Sequence, residues 1–173
     1  MDWKYESEYR IVKIVSIAFI ATVLAFTLIA ELLIRSNSPA ISAPLMEGTV
    51  LRTIRYIFSG LATLMLICGL ALKMRIRDPQ EGTVLNLIRA LIKNMHKTRS
   101  GSAIGLLLVI SGLFETISVL GIVQFFFSGG IRVESYPLLT TSLLAMIITF
   151  PKPHERDNLI TLDKEVQAQN NSN

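Results

Sequence analysis

The chain has 173 residues, 51% of them hydrophobic and 17% charged, with a mean hydropathy of +0.51, a balance that excludes an ordinary soluble domain of this size and points to a membrane protein. The formal net charge of +4 does not read as a nucleic-acid footprint, because the basic residues fall between apolar runs rather than along one stripe. Cys68 is the single cysteine, which excludes an intrachain disulfide and a thiolate metal cluster and reads as a small core side chain.

The leader MDWKYESEYR mixes charges with Trp3, Tyr5 and Tyr9, a composition suited to an interfacial anchor at headgroup level. Ile14 to Ile34 is then apolar except for Glu31, with Lys13 and Arg35 flanking it. This run exceeds the ~7–15 residues of a signal-peptide core and its leader is partly acidic, so a retained first span is expected. Glu31 and Arg35 stand four apart, where a helix brings opposite charges together at the solvated end of the span. Pro39 and Pro44 end one helix and open the next. The second apolar run, Tyr56 to Leu72, extends upstream through LMEGTVLRTIR, giving a span over about 50–72 with Arg52 and Arg55 directed to headgroups.

The connection Lys73 to Gly101 contains a helix-start signature, Asp78, Pro79 and Glu81. After it Val84, Ile88, Leu91, Ile92 and Met95 recur at helical spacing, while Arg89, Lys93 and Lys97 occupy another face. An amphipathic helix over about 79–98 is expected to lie in the cytoplasmic membrane surface, with Arg89, Lys93 and Lys97 as its lipid contacts. The alternative is a helix packed on a partner protein or on the base of the bundle. EGTVL occurs twice, at Glu47–Leu51 and Glu81–Leu85. The repeat records either a duplicated half or two separately selected helix starts.

Ser102 to Phe127 is the longest apolar run, and as a helix at ~1.5 Å per residue it exceeds the ~30 Å hydrocarbon core. Its one charge, Glu115, lies near the midpoint. SGGIRVES is a turn in which Gly129 and Gly130 supply positive φ, and a short fourth span follows over about 135–150. The polar remainder, 158–173, is expected to be a flexible cytoplasmic tail. The leader, the long connection and the tail hold 13 of the 17 Lys and Arg, leaving Arg35, Arg52, Arg55 and Arg132 to the other side. Both termini are therefore expected in the cytoplasm.

On a helical wheel Ser111 and Ser118 flank Glu115, and Gly112 shares the face. Small and hydroxyl residues admit a neighbouring helix and can hydrogen-bond a sheltered carboxyl, which is expected to be protonated at rest. Glu115, Ser111, Gly112 and Ser118 form the candidate site. It is either a proton or cation site or a packing site in which Ser111, Ser118, Thr22, Thr63 or Thr141 satisfies the carboxyl.

The stretch FETISVLGIVQFFF, Phe114 to Phe127, resembles the carboxylate helix of the proteolipid, or c-type, subunits of rotary ATP synthases, in which a mid-membrane acid precedes a Gly-Ile/Leu-Val run. The resemblance implies that Glu115 matches the ion-carrying acid and Gly121 the following glycine. It covers this stretch alone. Tyr56 to Leu72 has only Gly60 and Gly69 where that family has a glycine ladder, and the connection from Arg77 to Glu115 is longer than a c-type loop. The whole-chain pattern, with its short last span and its Phe150-Pro151 exit, is similar to small bacterial four-helix membrane proteins and implies no activity.

No phosphate loop, HExxH, nucleophile elbow or metal-ligand cluster occurs, and His96 and His154 read as surface residues. The expected fold is all-α, one transmembrane domain over 1–157 with spans at about 14–34, 50–72, 102–127 and 135–150. The expected role is that of a structural, assembly or interaction subunit of the bacterial inner membrane. It would have no catalytic residues, no cofactor and no metal. Its partners would be membrane lipids and either further copies of the chain or another membrane protein. An oligomeric proton or cation translocating component is the alternative.

Overall fold

Runs this apolar must satisfy their backbone polar groups internally, and a helix does so within one segment. The computed structural model describes residues 2–36, 38, 48–79, 82–97 and 103–171. These form six helices and no strand: α1 Asp2–Arg35, α2 Gly48–Arg77, α3 Thr83–Lys97, α4 Gly105–Phe127, α5 Arg132–Ile148 and α6 Pro153–Asn171. Three of them, α1, α2 and α4, are long and apolar enough to cross a membrane, and α5 carries a shorter apolar stretch, Ser135–Ile148.

Several boundaries differ from those expected. The leader is continuous with the first span and forms the first turns of α1. The helix expected from Pro79 begins only at Thr83, because the Asp78 amide is engaged in closing α2, donating to the Met74 carbonyl at 2.9 Å. Glu81, the acidic member of that signature, lies outside the described residues, as do Glu47 and Ser102. Both EGTVL copies stand at helix starts, Gly48 opening α2 and Thr83 opening α3. Cys68, read as a core residue, is exposed.

The largest correction concerns 158–171, which are helical rather than a flexible tail. Pro153 takes the first helical position, where its missing N–H costs nothing. Glu155 at the third position accepts the Lys152 backbone N–H at 2.9 Å, half of a capping box. Leu159, Leu162 and Val166 then form a buried stripe, and α6 packs against α3, whose Leu85, Ile88 and Ile92 are also buried.

Two sets of residues pack internally. The first comprises 1–17, 68–111 and 149–173, with Tyr9, Val12, Ile76, Ile104, Leu107 and Ile110 in its core besides the α3 and α6 stripes. Within it the side-chain amide of Asn158 on α6 donates to the carbonyls of Ile76 and Arg77 at 2.9 and 3.0 Å, satisfying C-terminal carbonyls of α2 that have no helical partner. Asn158→Ala should lower stability by about 1–2 kcal/mol, read as a fall in the unfolding midpoint of the detergent-solubilised chain. Asn158→Asp should do no better, since a carboxylate only accepts and would face the negative end of the α2 dipole.

The second set comprises 18–67 and 112–148, with Val23, Ala62, Phe114, Ile117, Phe125 and Met146 buried. Gly129 and Gly130 turn the chain from α4 into α5 at φ 68° and 80°, as the sequence requires. The Gly130 N–H reaches back to the Phe125 carbonyl at 2.9 Å. The Ser142 hydroxyl, wholly buried, donates to the Phe114 carbonyl at 2.7 Å, which ties α5 to α4. Glu31 meets Arg35 at 3.9 Å, the spacing partner expected, and also accepts the Tyr136 hydroxyl of α5.

Candidate functional site

Glu115 lies on α4 with one carboxyl oxygen, Oε2, shut away from solvent and without a hydrogen-bond partner among the described residues. Three of the hydroxyls expected to serve it act elsewhere. Ser111 shares a hydrogen bond with Ser16 at 3.2 Å. Thr22 donates to Ala18 O and Thr63 to Ser59 O, at 2.9 and 2.8 Å, each bonding back one turn along its own helix. Ser118 stays beside Glu115, but its hydroxyl donates to the Glu115 backbone carbonyl at 2.7 Å. Among the described residues a methyl group built at Gly112 would meet nothing within 4 Å, whereas one at Gly121 would lie 3.1 Å from Leu138 Cβ and 3.2 Å from the Ser135 carbonyl oxygen. The close helix approach that a glycine permits is thus at Gly121.

The basic residues of α3 are separated by their contacts. Arg89 is half-buried and pairs with Glu165 of α6 at 3.4 Å, while Lys93 is exposed. Lys97 ends the helix, and its side chain lies outside what is described, as does that of His96. His154 is exposed.

Two polar groupings had not been singled out from the sequence. Lys73 Nζ lies 2.7 Å from Glu155 Oε2, with the two side chains only 8% and 2% exposed. Since Glu155 Oε2 also takes the Lys152 amide, one carboxylate both starts α6 and joins it to α2. The acidic third position after Pro153 is a legible helix-start signal; its distant partner is not.

The other grouping links the first turns of α1 to α6. Tyr5 donates to Asp163 at 2.9 Å and the buried Tyr9 to the Pro151 carbonyl at 3.1 Å. Lys13 and Arg156 both lie over the Tyr9 ring, 4.9 and 5.5 Å from its centre, a cation–π arrangement. Arg156 also pairs with Glu6 and, at 2.8 Å, with Asp157, whose hydrogen bond pushes the guanidinium above its ordinary range. Among the described residues no group of three or more His, Cys, Asp or Glu could hold a metal ion.

Comparison with protein-family models, with curated proteins and with solved structures finds no match for this chain. Its class therefore rests on its structure: an all-helical protein with three helices long and apolar enough to span a membrane.

Proposed function

We propose that the chain is an integral membrane protein acting as a structural, assembly or interaction subunit, with no enzymatic activity of its own. The carrying observation is that only 11% and 17% of the most apolar windows of α1 and α2 are buried. Ile14, Ile17, Leu24, Leu28 and Leu32 of α1, and Ile57, Leu61, Leu64 and Ile67 of α2, are exposed. So much outward apolar surface calls for lipid or another apolar helix. In this reading α5 completes four spans, an even number that agrees with the Lys and Arg bias towards both termini and the long connection. The membrane is the bacterial inner membrane, and the exposed Lys93 of α3 meets anionic headgroups.

Reporter fusions at the two ends should read the same, cytoplasmic side. Mild-detergent extraction followed by cross-linking should give a species of more than one polypeptide, whereas a lone 19.2 kDa chain under every gentle condition would remove the subunit reading.

A second reading, an oligomeric proton or cation conductor, is favoured by the unpartnered, enclosed Oε2 of Glu115, since intramembrane carboxyls commonly mark ion paths. Glu115→Gln separates the two. Under the assembly reading, oligomer yield and any associated ion flux are unchanged. Under the conductor reading the oligomer forms but proton flux into vesicles falls at least tenfold, and carbodiimide labelling of wild-type Glu115 is blocked by cation or by raised pH.

A further inference from the structure

The cleft between the start of α1 and the start of α6 is lined by Trp3, Tyr5, Glu6, Arg156, Asp157 and Ile160 and has a volume of about 530 Å³. Such a volume is ordinary for a small-ligand site, and the polar atoms that its lining residues leave uncommitted are specific. Arg156 uses Nε and Nη2 on Asp157 and Nη1 on Glu6. A guanidinium has five N–H donors, so two remain. Both Asp157 contacts fall on Oδ1, which leaves Oδ2 as an acceptor on a side chain that is 60% exposed. Tyr5 is committed to Asp163. Trp3, 79% exposed, offers an indole face and an N–H beside the apolar Ile160.

We propose that this cleft binds an aminophosphate headgroup, with its phosphate on the free N–H groups of Arg156, its primary ammonium on Asp157 Oδ2 and its glycerol end against Trp3 and Ile160. The source is an aminophospholipid of the phosphatidylethanolamine type. A guanidinium matches phosphate geometry, a primary ammonium donates the hydrogen bond that the carboxylate accepts, and tryptophan suits the membrane interface. A trimethylammonium headgroup has no N–H to give, and a glycerol headgroup has no cation. The assignment rests on the membrane reading only for the lipid source, because the fusion reporters test topology while the titration below tests the cleft.

Trp3 is the chain's single tryptophan, so its emission reports the cleft alone. The full chain in non-ionic detergent is titrated with dihexanoyl phosphatidylethanolamine, phosphatidylcholine and phosphatidylglycerol, and with free phosphoethanolamine. The ethanolamine lipid should shift the emission saturably, at a half-saturating concentration about tenfold below those of the other two lipids, the worth of one charge-assisted hydrogen bond. Asp157→Asn, an exposed and mild change, should erase that preference while leaving the weaker responses. Arg156→Lys, checked for unchanged helicity, should weaken all three. Equal responses to the three lipids, or a preference that survives Asp157→Asn, would overturn the assignment. Free phosphoethanolamine binding as tightly as the lipid would keep the headgroup chemistry and overturn a lipid as its source.

Discussion

Lys73→Met should destabilise the chain by about 3–5 kcal/mol, because it leaves the Glu155 carboxylate, 2% exposed, with a single backbone donor and no cation. Stabilities of single domains are about 5–15 kcal/mol, so this one change removes a large share. Its effect should be local in structure: α6 keeps only the Asn158 hydrogen bonds to the end of α2, and protease sites between 153 and 171 open first. The reverse change, Glu155→Leu, strands the ammonium instead and removes the acceptor of the Lys152 amide, so it should be at least as damaging. Two variants separate charge from packing. Lys73→Met combined with Glu155→Leu should recover most of the loss, since a buried pair is commonly no better than apolar residues of the same bulk. Glu155→Gln keeps an acceptor for both donors and should lose less than Glu155→Leu. The measurement is the thermal midpoint by circular dichroism of the solubilised full chain, with limited proteolysis beside it. A Lys73→Met midpoint equal to wild type would mean that the pair does not hold α6.

The apolar runs of α1, α2 and α4 were legible because length and composition alone decide whether a helix can span. The α4–α5 turn was legible because only Gly129 and Gly130 readily adopt the backbone it needs. What escaped was non-local. Lys73 and Glu155 lie 82 residues apart and Tyr5 and Asp163 158 apart, and no local pattern encodes such pairings. The α6 segment was misread because its polar composition hides a narrow stripe of Leu159, Leu162 and Val166, while the stronger-looking signal at Asp78-Pro79 was overridden by the end of α2. Thr22 and Thr63, expected near Glu115, turn away from it for a simpler reason. A threonine within a helix has its own carbonyl one turn back always in reach, and Thr22 and Thr63 take it.

Gly121 and Gly112 should respond oppositely to a side chain, and that contrast tests the α4–α5 contact. At Gly121 a Cβ would press on Leu138 Cβ at 3.1 Å, Leu139 Cγ at 3.3 Å and the Ser135 carbonyl oxygen at 3.2 Å. Leu139 Cγ can give slightly by a rotamer adjustment, but Leu138 Cβ is fixed by its own Cα and the carbonyl is α5 backbone, so neither moves alone. Gly121→Ala should therefore change little, the gain of about 1 kcal/mol in helix propensity offsetting the compression. Gly121→Leu has no room for its branch and should cost about 1–3 kcal/mol or more, with α5 forced away and the Ser142 to Phe114 hydrogen bond at 2.7 Å broken. Gly112, where a methyl meets nothing within 4 Å, should accept alanine with a gain of up to about 1 kcal/mol. Thermal midpoints of the three variants in one detergent decide the matter: Gly121→Leu at or above wild type would deny the close α4–α5 contact, and a loss at Gly112→Ala would show a neighbour there other than the described residues of one chain. Gly121, the residue that the resemblance pairs with the glycine after an ion-carrying acid, then has a sufficient cause within this chain, and the tests at Glu115 itself bear on the ion site.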